Sequence, residues 1–566
     1  TPIQGKPITP EFLAGCAAKA SVSDRLVSGI LSNHTPDSAL LNPLPPNAHT
    51  WSLQLDNWKA TSQASSGRCW LFALSNLMRG KMVSEHGVDK ADASLSNNWL
   101  YFYDQLERCA FWLECVRATA DRPLTDESVR YLLEKPVADG GTFSMAVNIV
   151  AKYGLVPNKA YPDRPTTQLT SQLKVRMKRV MHLGAHQIRA NPAQAEATLQ
   201  TTMERVYRLL SITLGTPPSE FVCATEIKKE KEKRSKTNSN KASKADVADA
   251  VQEEEPSAVP SPAVSSSETE REREGTAAIK EELRQEDPSL YGTGQGSSLS
   301  EAAALPALPA TSLSPSAPSP SKDRMGTEYA FTKHTPLSYA AKYASDIPDY
   351  ICVCQDPRHQ EGQVLTVDFL GNVSQTEGGR DTRTLYLVVS ADTYIDCTSR
   401  TLNERREPVW FGCEFRSSNG YSKSHGLLSL DTYADEAIGC VTEKELGKLE
   451  RVLIGESQCS HAMLITGERV GDRGVEAFRV ENSHGERGVA NGFLDCSVPW
   501  LRFVCVVQYI HCAMVYSYSP PREFGFMAAF HPSMLPSHLV TLYKEALQTG
   551  NVVVLPPWDP MGALAL

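Results

Sequence analysis

The sequence lacks the features that mark membrane, secreted and zinc-binding proteins. No run of apolar residues is long enough to span a bilayer, and the first residues show neither the charged nor the apolar region of a secretory signal. The 14 cysteines are scattered and include no C-x-x-C pair, which gives a structural zinc site little support. We therefore expect reduced thiols, a cytoplasmic location and no membrane partner.

An excess of positive charge is also missing. Lysine and arginine number 57 against 66 aspartates and glutamates, and the formal net charge is −9. Because nucleic-acid-binding proteins usually present a basic footprint, a nucleic-acid partner is not expected. The length of 566 residues is enough for two or more globular units.

One long stretch has almost no aromatic or β-branched residues. Residues 228–325 are dominated by Ser, Pro, Ala, Glu and Lys. Such a segment cannot bury enough apolar surface to offset the entropy lost on ordering. The composition therefore predicts a disordered insert, which a surface position tolerates because loop-closure entropy grows slowly with length.

The most informative stretch is QASSGRCWLFALSNLMRG at 63–80, which predicts a loop entering an amphipathic helix. Apolar residues recur at the spacing of one helical face: Trp70, Ala73, Leu74, Leu77 and Met78. Gly80 is predicted to end the helix. Cys69 then lies in the first turn, where unpaired N–H groups and the helix dipole favour a thiolate. The alternative is a buried, inert cysteine.

Candidate partners for Cys69 lie far from it in the sequence. His461 precedes the apolar run of SHAMLITGERV, and Asn482 follows the alternating residues of AFRVEN, so both are expected at strand ends. A Cys, a His and an Asn together supply the nucleophile, base and orienting group of a thiol hydrolase. Gln63 can donate an amide N–H beside that of Cys69 to a developing oxyanion.

At these residues the chain resembles the papain-like cysteine peptidases, and within them the bleomycin hydrolase family. The motifs are SSGRCW at 65–70, DGG at 139–141, VNIVAKYGLVP at 147–157, VWFGC at 409–413, SHAM at 460–463, RVENS at 479–483 and LPPWDPMGALAL at 555–566. The resemblance implies that Cys69 is the nucleophile, His461 the base, Asn482 its orienter and Gln63 an oxyanion donor. It implies hydrolysis through a thioester and no metal or organic cofactor.

The predicted fold class is α+β, a papain-like fold with a helical domain packed against a mostly antiparallel sheet domain. An added helical subdomain and the disordered insert complete it. The expected divisions are an N-terminal wrapping segment at 1–60, the helical half at 61–227, the insert at 228–325, the sheet half at 326–550 and a C-terminal arm at 551–566. Helices are expected at 143–156 and 194–214, and strands at 349–356, 363–370, 384–391, 408–415 and 502–510.

The resemblance also implies how substrate is held. Gly140 and Gly141 would let the substrate backbone approach, and the C-terminal arm with Ala565 and Leu566 would lie in the cleft. Its terminal carboxylate would bind the free amino group of the substrate, although composition alone predicts a frayed tail. We therefore expect removal of N-terminal residues from peptides and bleomycin-like amides, by a homohexamer with sites facing an internal channel.

His484 departs from the family pattern, which has Trp after Asn-Ser. A smaller, titratable ring should shield the His461–Asn482 hydrogen bond less well or compete for Asn482, so His484→Trp is predicted to raise kcat/KM. Two alternatives stay open at this stage. One is a cysteine endopeptidase with an open cleft, and the other is a non-catalytic scaffold that acts through the insert.

Overall fold

The computed structural model describes residues 5, 8–56, 58–226, 321–322, 328–374, 379–415, 420–440, 446–501 and 525–565. Almost all of the predicted insert, the strand expected at 502–510 and Leu566 therefore lie outside the described residues. The chain forms two compact units. The first comprises Thr1–Thr225 with Phe331–Leu566, and the second comprises Glu226–Ala330.

Fifteen α-helices are described. They are α1 Pro10–Ala18, α2 Val22–Leu31, α3 Pro36–Ala39, α4 Cys69–Ser84, α5 Asn97–Ala118, α6 Glu127–Glu134, α7 Phe143–Tyr153, α8 Pro165–Gln168, α9 Ser171–Ala190, α10 Ala195–Leu214, α11 Pro336–Tyr343, α12 Ala391–Arg400, α13 Lys448–Leu453, α14 Val498–Leu501 and α15 Ser537–Thr549. None of them is long and apolar enough to cross a membrane.

Helix α4 begins at Cys69, as the sequence predicts, but it does not end at Gly80. The helix continues to Ser84 and is buried on almost every side. A β-carbon at Gly80 would stand 3.2 Å from the Pro408 ring. The glycine therefore permits close packing inside the helix, and the prediction of a helix end there was wrong.

A bundle of long helices packs beside α4. Helix α10 lies against both α9 and α5, which agrees with the predicted helical subdomain. The 20-residue helix α9 was not predicted, although its buried side chains follow helical spacing. They are Leu173, Met177, Met181, Gly184, Ala185 and Ile188. Seven lysine, arginine and histidine residues in this segment occupy its other faces and conceal the pattern.

Fifteen strands are described. They are β1 Leu53–Gln54, β2 Phe221–Glu226, β3 Ser321–Lys322, β4 Glu328–His334, β5 Ile351–Cys354, β6 Val364–Val367, β7 Leu385–Val388, β8 Val409–Cys413, β9 Tyr421–Ser422, β10 Leu427–Leu428, β11 His461–Gly471, β12 Gly474–Glu481, β13 Phe493–Ser497, β14 Gly525–Phe530 and β15 Val553–Leu555. The four predicted strands from 349 to 415 correspond to β5, β6, β7 and β8.

Twelve of these strands form one mixed sheet. Its order is β15-β6-β7-β5-β14-β8-β11-β12-β13-β10-β9, and β1 pairs with β11. The pairs β15–β6, β5–β7 and β10–β13 are parallel and the others are antiparallel. Strands β11 and β12 form an antiparallel pair, so His461 at the start of β11 and Asn482 after β12 meet at one edge.

Both ends of the first unit contact the sheet. At the N-terminal end, β1 pairs with β11 and Leu41 forms an isolated antiparallel bridge with Tyr433, whereas α1 and α2 bury no residue. At the C-terminal end, β15 pairs with β6 and a 3₁₀-helix covers Pro560–Ala565. The C-terminal segment is therefore ordered to Ala565, and the frayed tail expected from composition is wrong. The wrapping role of residues 1–60 stays a prediction.

Candidate active site

The Cys69 thiol is buried at the first residue of α4. Burial raises its pKa to about 11, although hydrogen bonds from the backbone N–H groups of Ala462 and Trp70 oppose this rise. The sequence predicted a thiolate favoured by the helix N-terminus, and this prediction was wrong for the resting site because desolvation outweighs the N–H groups. The contact with Ala462 brings the sulfur to the start of β11, where His461 is the preceding residue.

The loop before Cys69 is held by Asp139. The Asp139 carboxylate accepts hydrogen bonds from the Gly67 N–H at 2.9 Å and from Lys174 Nζ at 2.6 Å, and the Asp139 carbonyl accepts one from Trp70 Nε1 at 2.9 Å. Burial raises the pKa of Asp139, but hydrogen bonds from Lys174, Thr170 and Gly67 outweigh burial and hold the pKa below its usual value. Both sides of the nucleophile are therefore attached to one residue.

Arg68 also holds the loop before Cys69. Its side chain is fully buried, and the guanidinium donates a bidentate pair of hydrogen bonds to Asp163 at 2.9 and 3.0 Å. The guanidinium also lies over the rings of Phe72 and Tyr101. A planar, five-donor cation suits this combination of a carboxylate and two rings. Arg68 therefore fixes the point at which the chain enters α4.

His461 and Asn482 are joined by a hydrogen bond. His461 Nε2 lies 3.0 Å from Asn482 Oδ1. An amide oxygen can only accept, so Nε2 carries the proton and Nδ1 remains free as a base. Burial lowers the pKa of His461 to about 4. Burial therefore disfavours charge on both groups, and a proton must pass from Cys69 to His461 for a thiolate to form.

His484 contacts Asn482 from the other side. Asn482 Nδ2 donates to His484 Nδ1 at 3.2 Å, and the rings of His461 and His484 lie 5.4 Å apart. Phe415 packs against the His461 ring at 4.9 Å. Asn482 is only 2% exposed, so the hydrogen bond is shielded from water, and the expectation that a Trp ring would shield it better stays a prediction. Phe415 and His484 together supply the cover that the sequence comparison expected from a Trp ring.

Glu481 connects the two halves of the site. Its carboxylate accepts hydrogen bonds from Asn76 Nδ2 of α4 at 2.9 Å, from the Thr61 N–H at 3.1 Å and from Trp58 Nε1 at 2.9 Å. Glu481 directly precedes Asn482 in the sequence. The residue that orients His461 is therefore tied to the helix that carries Cys69 through one neighbouring side chain.

Gln63 lies in a segment that pairs with the residues after Asn482. The Gln63 N–H donates to the Ser483 carbonyl at 2.9 Å, and the Ser483 hydroxyl donates to Gln63 Oε1 at 2.8 Å. Gln63 Nε2 donates to the Ser66 carbonyl at 2.6 Å. An amide nitrogen has two hydrogens, so one N–H remains for another acceptor. The predicted oxyanion role of Gln63 stays a prediction.

The C-terminal segment lies against one of the two predicted substrate-binding glycines. A β-carbon at Gly140 would stand 2.1 Å from the Leu564 carbonyl oxygen, and one at Gly141 would stand 2.6 Å from the Trp70 ring. Gly140 therefore faces the chain's own tail, whereas Gly141 makes room for a core side chain. Ala565 is buried, and Leu566 lies outside the described residues. The substrate-binding roles of these four residues stay predictions.

Arg108 holds the tail at this position. Its guanidinium donates to the Ala565 carbonyl at 3.0 Å and to the Gly140 carbonyl at 2.6 Å, and it pairs with Asp104 at 3.0 Å. It also lies 5.9 Å from the centre of the Trp70 ring, next in sequence to Cys69. The side chain of Arg108 therefore lies between Ala565 and Trp70, the residue that follows Cys69.

Two further contacts fix the base of the tail. The Asp559 carboxylate accepts hydrogen bonds from both terminal nitrogens of Arg358 at 2.8 and 2.9 Å, and the same guanidinium binds Asp356. The Cys459 N–H donates to the Pro560 carbonyl at 3.3 Å. A bidentate ionic pair is a strong and directional contact. The segment Pro560–Ala565 is therefore anchored at both ends.

Sequence reasoning missed the charged residues that position the site. They are Arg68, Arg108, Asp163, Arg358, Glu481 and Asp559. Arg68 directly precedes Cys69, and Glu481 directly precedes Asn482. This adjacency in the sequence was the one feature that could have pointed to them. The contacts that join Arg68 to Asp163 and Arg108 to Ala565 span 95 and 457 residues of the sequence, and no local pattern encodes such a pairing.

Comparison with known proteins identifies the family. The model of the peptidase C1-like family matches residues 17–262 and 322–562. Bleomycin hydrolase of Rattus norvegicus is 27% identical over 526 residues, which cover 89% of this chain and 86% of the relative. Aminopeptidase C of Lactobacillus delbrueckii subsp. lactis is 24% identical over 560 residues, which cover 97% of this chain and 94% of the relative.

A solved structure gives the same fold. The crystal structure of PepW from Lactobacillus rhamnosis HN001 matches with a TM-score of 0.71 at 23% identity, over 98% of this chain and 99% of that chain. The predicted papain-like α+β fold and the family resemblance drawn from the motifs are confirmed. Because the matched residues make up most of its length, the chain belongs to the peptidase C1-like family.

Proposed function

We propose that the chain is a cysteine aminopeptidase that removes N-terminal residues from peptides through a thioester on Cys69. The observation that carries the proposal is the docking of Pro560–Ala565 against Gly140, with the Ala565 carbonyl bound to Arg108, whose guanidinium lies near the Trp70 ring. A cleft closed on one side by the chain itself leaves room for only a short part of the substrate before the scissile bond. The names of the two relatives, bleomycin hydrolase and aminopeptidase C, agree with this activity.

The first half-reaction forms the thioester. His461 Nδ1 takes the thiol proton of Cys69, and the thiolate attacks the carbonyl carbon of the first peptide bond. The Cys69 N–H and the second N–H of Gln63 donate to the oxyanion that develops. When the tetrahedral intermediate collapses, the C–N bond breaks and His461 returns the proton to the leaving amine.

The second half-reaction releases the N-terminal residue. Neutral His461 removes a proton from water, which attacks the thioester carbonyl. The same two N–H donors stabilise the second oxyanion. The C–S bond breaks, the Cys69 sulfur takes back the proton from His461, and the amino acid leaves with a free carboxylate. Every proton is carried by Cys69, His461 or water, so the reaction requires no cofactor.

The assembly and location of the protein are part of the proposal. We propose a homohexamer with active sites facing an internal channel, on the strength of the family resemblance. A cytoplasmic location is proposed because the cysteines in the described part of the chain are free thiols and such thiols persist in a reducing compartment. Sedimentation analysis of the purified protein tests the assembly, and a monomer at all concentrations would exclude it.

Hydrolysis of matched fluorogenic amides tests the activity. Free-amino and N-acetylated aminoacyl amides are compared under reducing conditions, with wild type and Cys69→Ala. We expect cleavage of the free-amino substrates only, and complete loss of cleavage in the variant. Cleavage of both substrate classes by wild type would favour the endopeptidase, and cleavage of neither would favour the non-catalytic scaffold.

Arg108 provides a sharper test of the tail. Arg108→Met removes the donor to Ala565, so we expect cleavage of N-acetylated substrates to appear as the tail loosens. Arg117→Met, on the same helix α5 but paired with exposed Glu114, is the matched control and should cleave free-amino substrates only. Equal specificity in the two variants would contradict the role given to the tail.

A further inference from the structure

His484 occupies a position in which its proton can control the catalytic base. The hydrogen bonds run in one direction: His461 Nε2 donates to Asn482 Oδ1 at 3.0 Å, and Asn482 Nδ2 donates to His484 Nδ1 at 3.2 Å. His484 must lack a proton on Nδ1 to accept this bond. The orientation of the Asn482 amide, and through it the tautomer of His461, therefore depends on the state of His484.

We infer that neutral His484 is a positioning residue that holds Asn482 in its productive orientation, and that protonation of His484 turns the peptidase off in acid. Protonated His484 carries a hydrogen on Nδ1 that opposes the Asn482 NH₂ group. The amide is then expected to rotate so that Oδ1 faces His484. His461 Nε2 would face a donor, lose its proton to solvent and carry one on Nδ1, where it can no longer accept the proton of Cys69. This inference rests on the proposed function.

The surroundings of His484 fit such a switch. A cavity of about 250 Å³ is lined by Asn482, His484, Lys423 and Arg487, among others, so His484 can exchange protons with solvent. The groups that face it are His461 from β11, Arg487 from its own loop and Lys423 from the loop after β9. Burial lowers the pKa of His484, and the charges of Arg487 and Lys423 lower it further. The accepting form therefore prevails at neutral pH.

Phe415 and the backbone leave little freedom for alternative arrangements. The Phe415 ring packs edge-on against His484 and lies over His461. The backbone of His484 is paired with Ser62 in an isolated antiparallel bridge. With the ring and the backbone both held, rotation of the Asn482 amide is the simplest response to a proton on His484.

Two substitutions at position 484 separate the accepting role from the titration. In His484→Gln the amide oxygen can accept from Asn482 at every pH, so we expect kcat at pH 7.5 within about threefold of wild type and an acid limb displaced to lower pH. In His484→Phe no acceptor remains, so kcat should fall roughly fivefold at neutral pH with KM unchanged. His182→Gln, which replaces an exposed histidine bound to the Leu133 carbonyl, is the control for loss of a histidine.

A third variant leaves His484 in place and changes only its charged neighbours. The double substitution of Lys423 and Arg487 by glutamine removes both cations, so protonation of His484 becomes easier and the acid limb should move to higher pH. A shift in the same direction as in His484→Gln would overturn the inference, as would no shift at all. Thermal melts of every variant establish that the fold is retained.

The rate of Cys69 alkylation gives a readout that requires no substrate. The variants are treated with iodoacetamide between pH 4.5 and 8, and the modified peptide that begins at Cys69 is quantified by mass spectrometry. We expect the acid limb of alkylation to move in the same direction as that of kcat. If His484→Gln and wild type give superimposable profiles, or if His484→Phe reacts like wild type, the inference is overturned. If the alkylation limbs shift as expected but wild type cleaves no substrate, the proposed function fails and the switch stands.

Discussion

The nucleophile side and the base side of the site are held by different forces. On the nucleophile side, the buried residues Arg68 and Asp139 form ionic contacts with the partly exposed Asp163 and Lys174, and these fix the loop before Cys69. On the base side, His461, Asn482 and His484 are joined by hydrogen bonds between neutral groups. Ion pairs between Arg or Lys and Asp keep their charges across the neutral pH range. A series of hydrogen bonds that includes histidines changes when a histidine is protonated. We therefore expect the stability of the fold to depend mainly on the nucleophile side, and the pH dependence of activity to depend mainly on the base side.

The largest expected effect is on stability, at Arg68. Arg68→Leu removes a fully buried cation and leaves the partly buried Asp163 carboxylate without its partner, so the free energy of unfolding should fall by about 3 kcal/mol. Lys59→Leu removes an exposed pair with Glu486 and should change the free energy by less than about 0.5 kcal/mol. Urea denaturation measures both. If the two variants lose similar amounts, the nucleophile side does not depend on its buried ionic contacts.

A slightly smaller effect is expected on the base side, and on activity. Asn482→Ala removes the acceptor that fixes the His461 tautomer, so kcat should fall by about a hundredfold. Asn403→Ala, which removes an amide bound to Glu468 away from the catalytic residues, is the control. Steady-state kinetics on a free-amino amide measures the change. If Asn482→Ala loses much stability but keeps its kcat, the base side supports the fold rather than the activity, contrary to our expectation.

Acid stability provides the third test, at Asp139. Because its folded-state pKa is lowered, Asp139 contributes stability that is present above the unfolded-state pKa of about 3.9 and is lost as pH falls through the folded value. Lys174→Met removes one donor to this carboxylate, so the variant should be less stable by about 1–2 kcal/mol at pH 7. The difference should shrink below about pH 4. Urea denaturation at both pH values measures it, and a difference that is constant with pH would contradict the assignment to Asp139.

The smallest expected effect concerns His484→Trp. The sequence predicted that this change would raise kcat/KM through better shielding, but Asn482 is already buried and His484 is its hydrogen-bond acceptor. We now expect kcat/KM at pH 7.5 to fall roughly fivefold, because the indole cannot accept from Asn482 Nδ2. Steady-state kinetics decides between the two expectations. A rise would restore the shielding argument and separate His484 from the base.

The elements that carry the site could be predicted because their signals are local. A cysteine after Ser-Ser-Gly-Arg and before an apolar helical face places Cys69 at a helix start, and alternating residues place His461 and Asn482 at strand ends. Helix α9 was missed because the lysine, arginine and histidine residues on its other faces conceal its narrow buried stripe. The helix end predicted at Gly80 was wrong because packing against Pro408, a contact distant in the sequence, decides what that glycine does.

The contacts that adjust the site could not be predicted from local patterns. Arg108 meets Ala565 across 457 residues, and Glu481 meets Asn76 across 405. Either residue, taken alone, is typical of an exposed helix or strand position. The pKa of Cys69 was misjudged for a related reason. The helix N-terminus is visible in the sequence, but the depth at which the thiol is buried is a property of the assembled fold.

The docked segment Pro560–Ala565 makes its own occupancy independent of how much protein a cell contains. Because this segment belongs to the same chain as Cys69, its ratio to the nucleophile is one to one in every molecule, and its local concentration does not change when the protein is diluted. A separate inhibitor or specificity subunit would dissociate as expression falls. If the tail has its proposed role, substrate choice should therefore be the same in a cell that makes a few copies and in one that makes many.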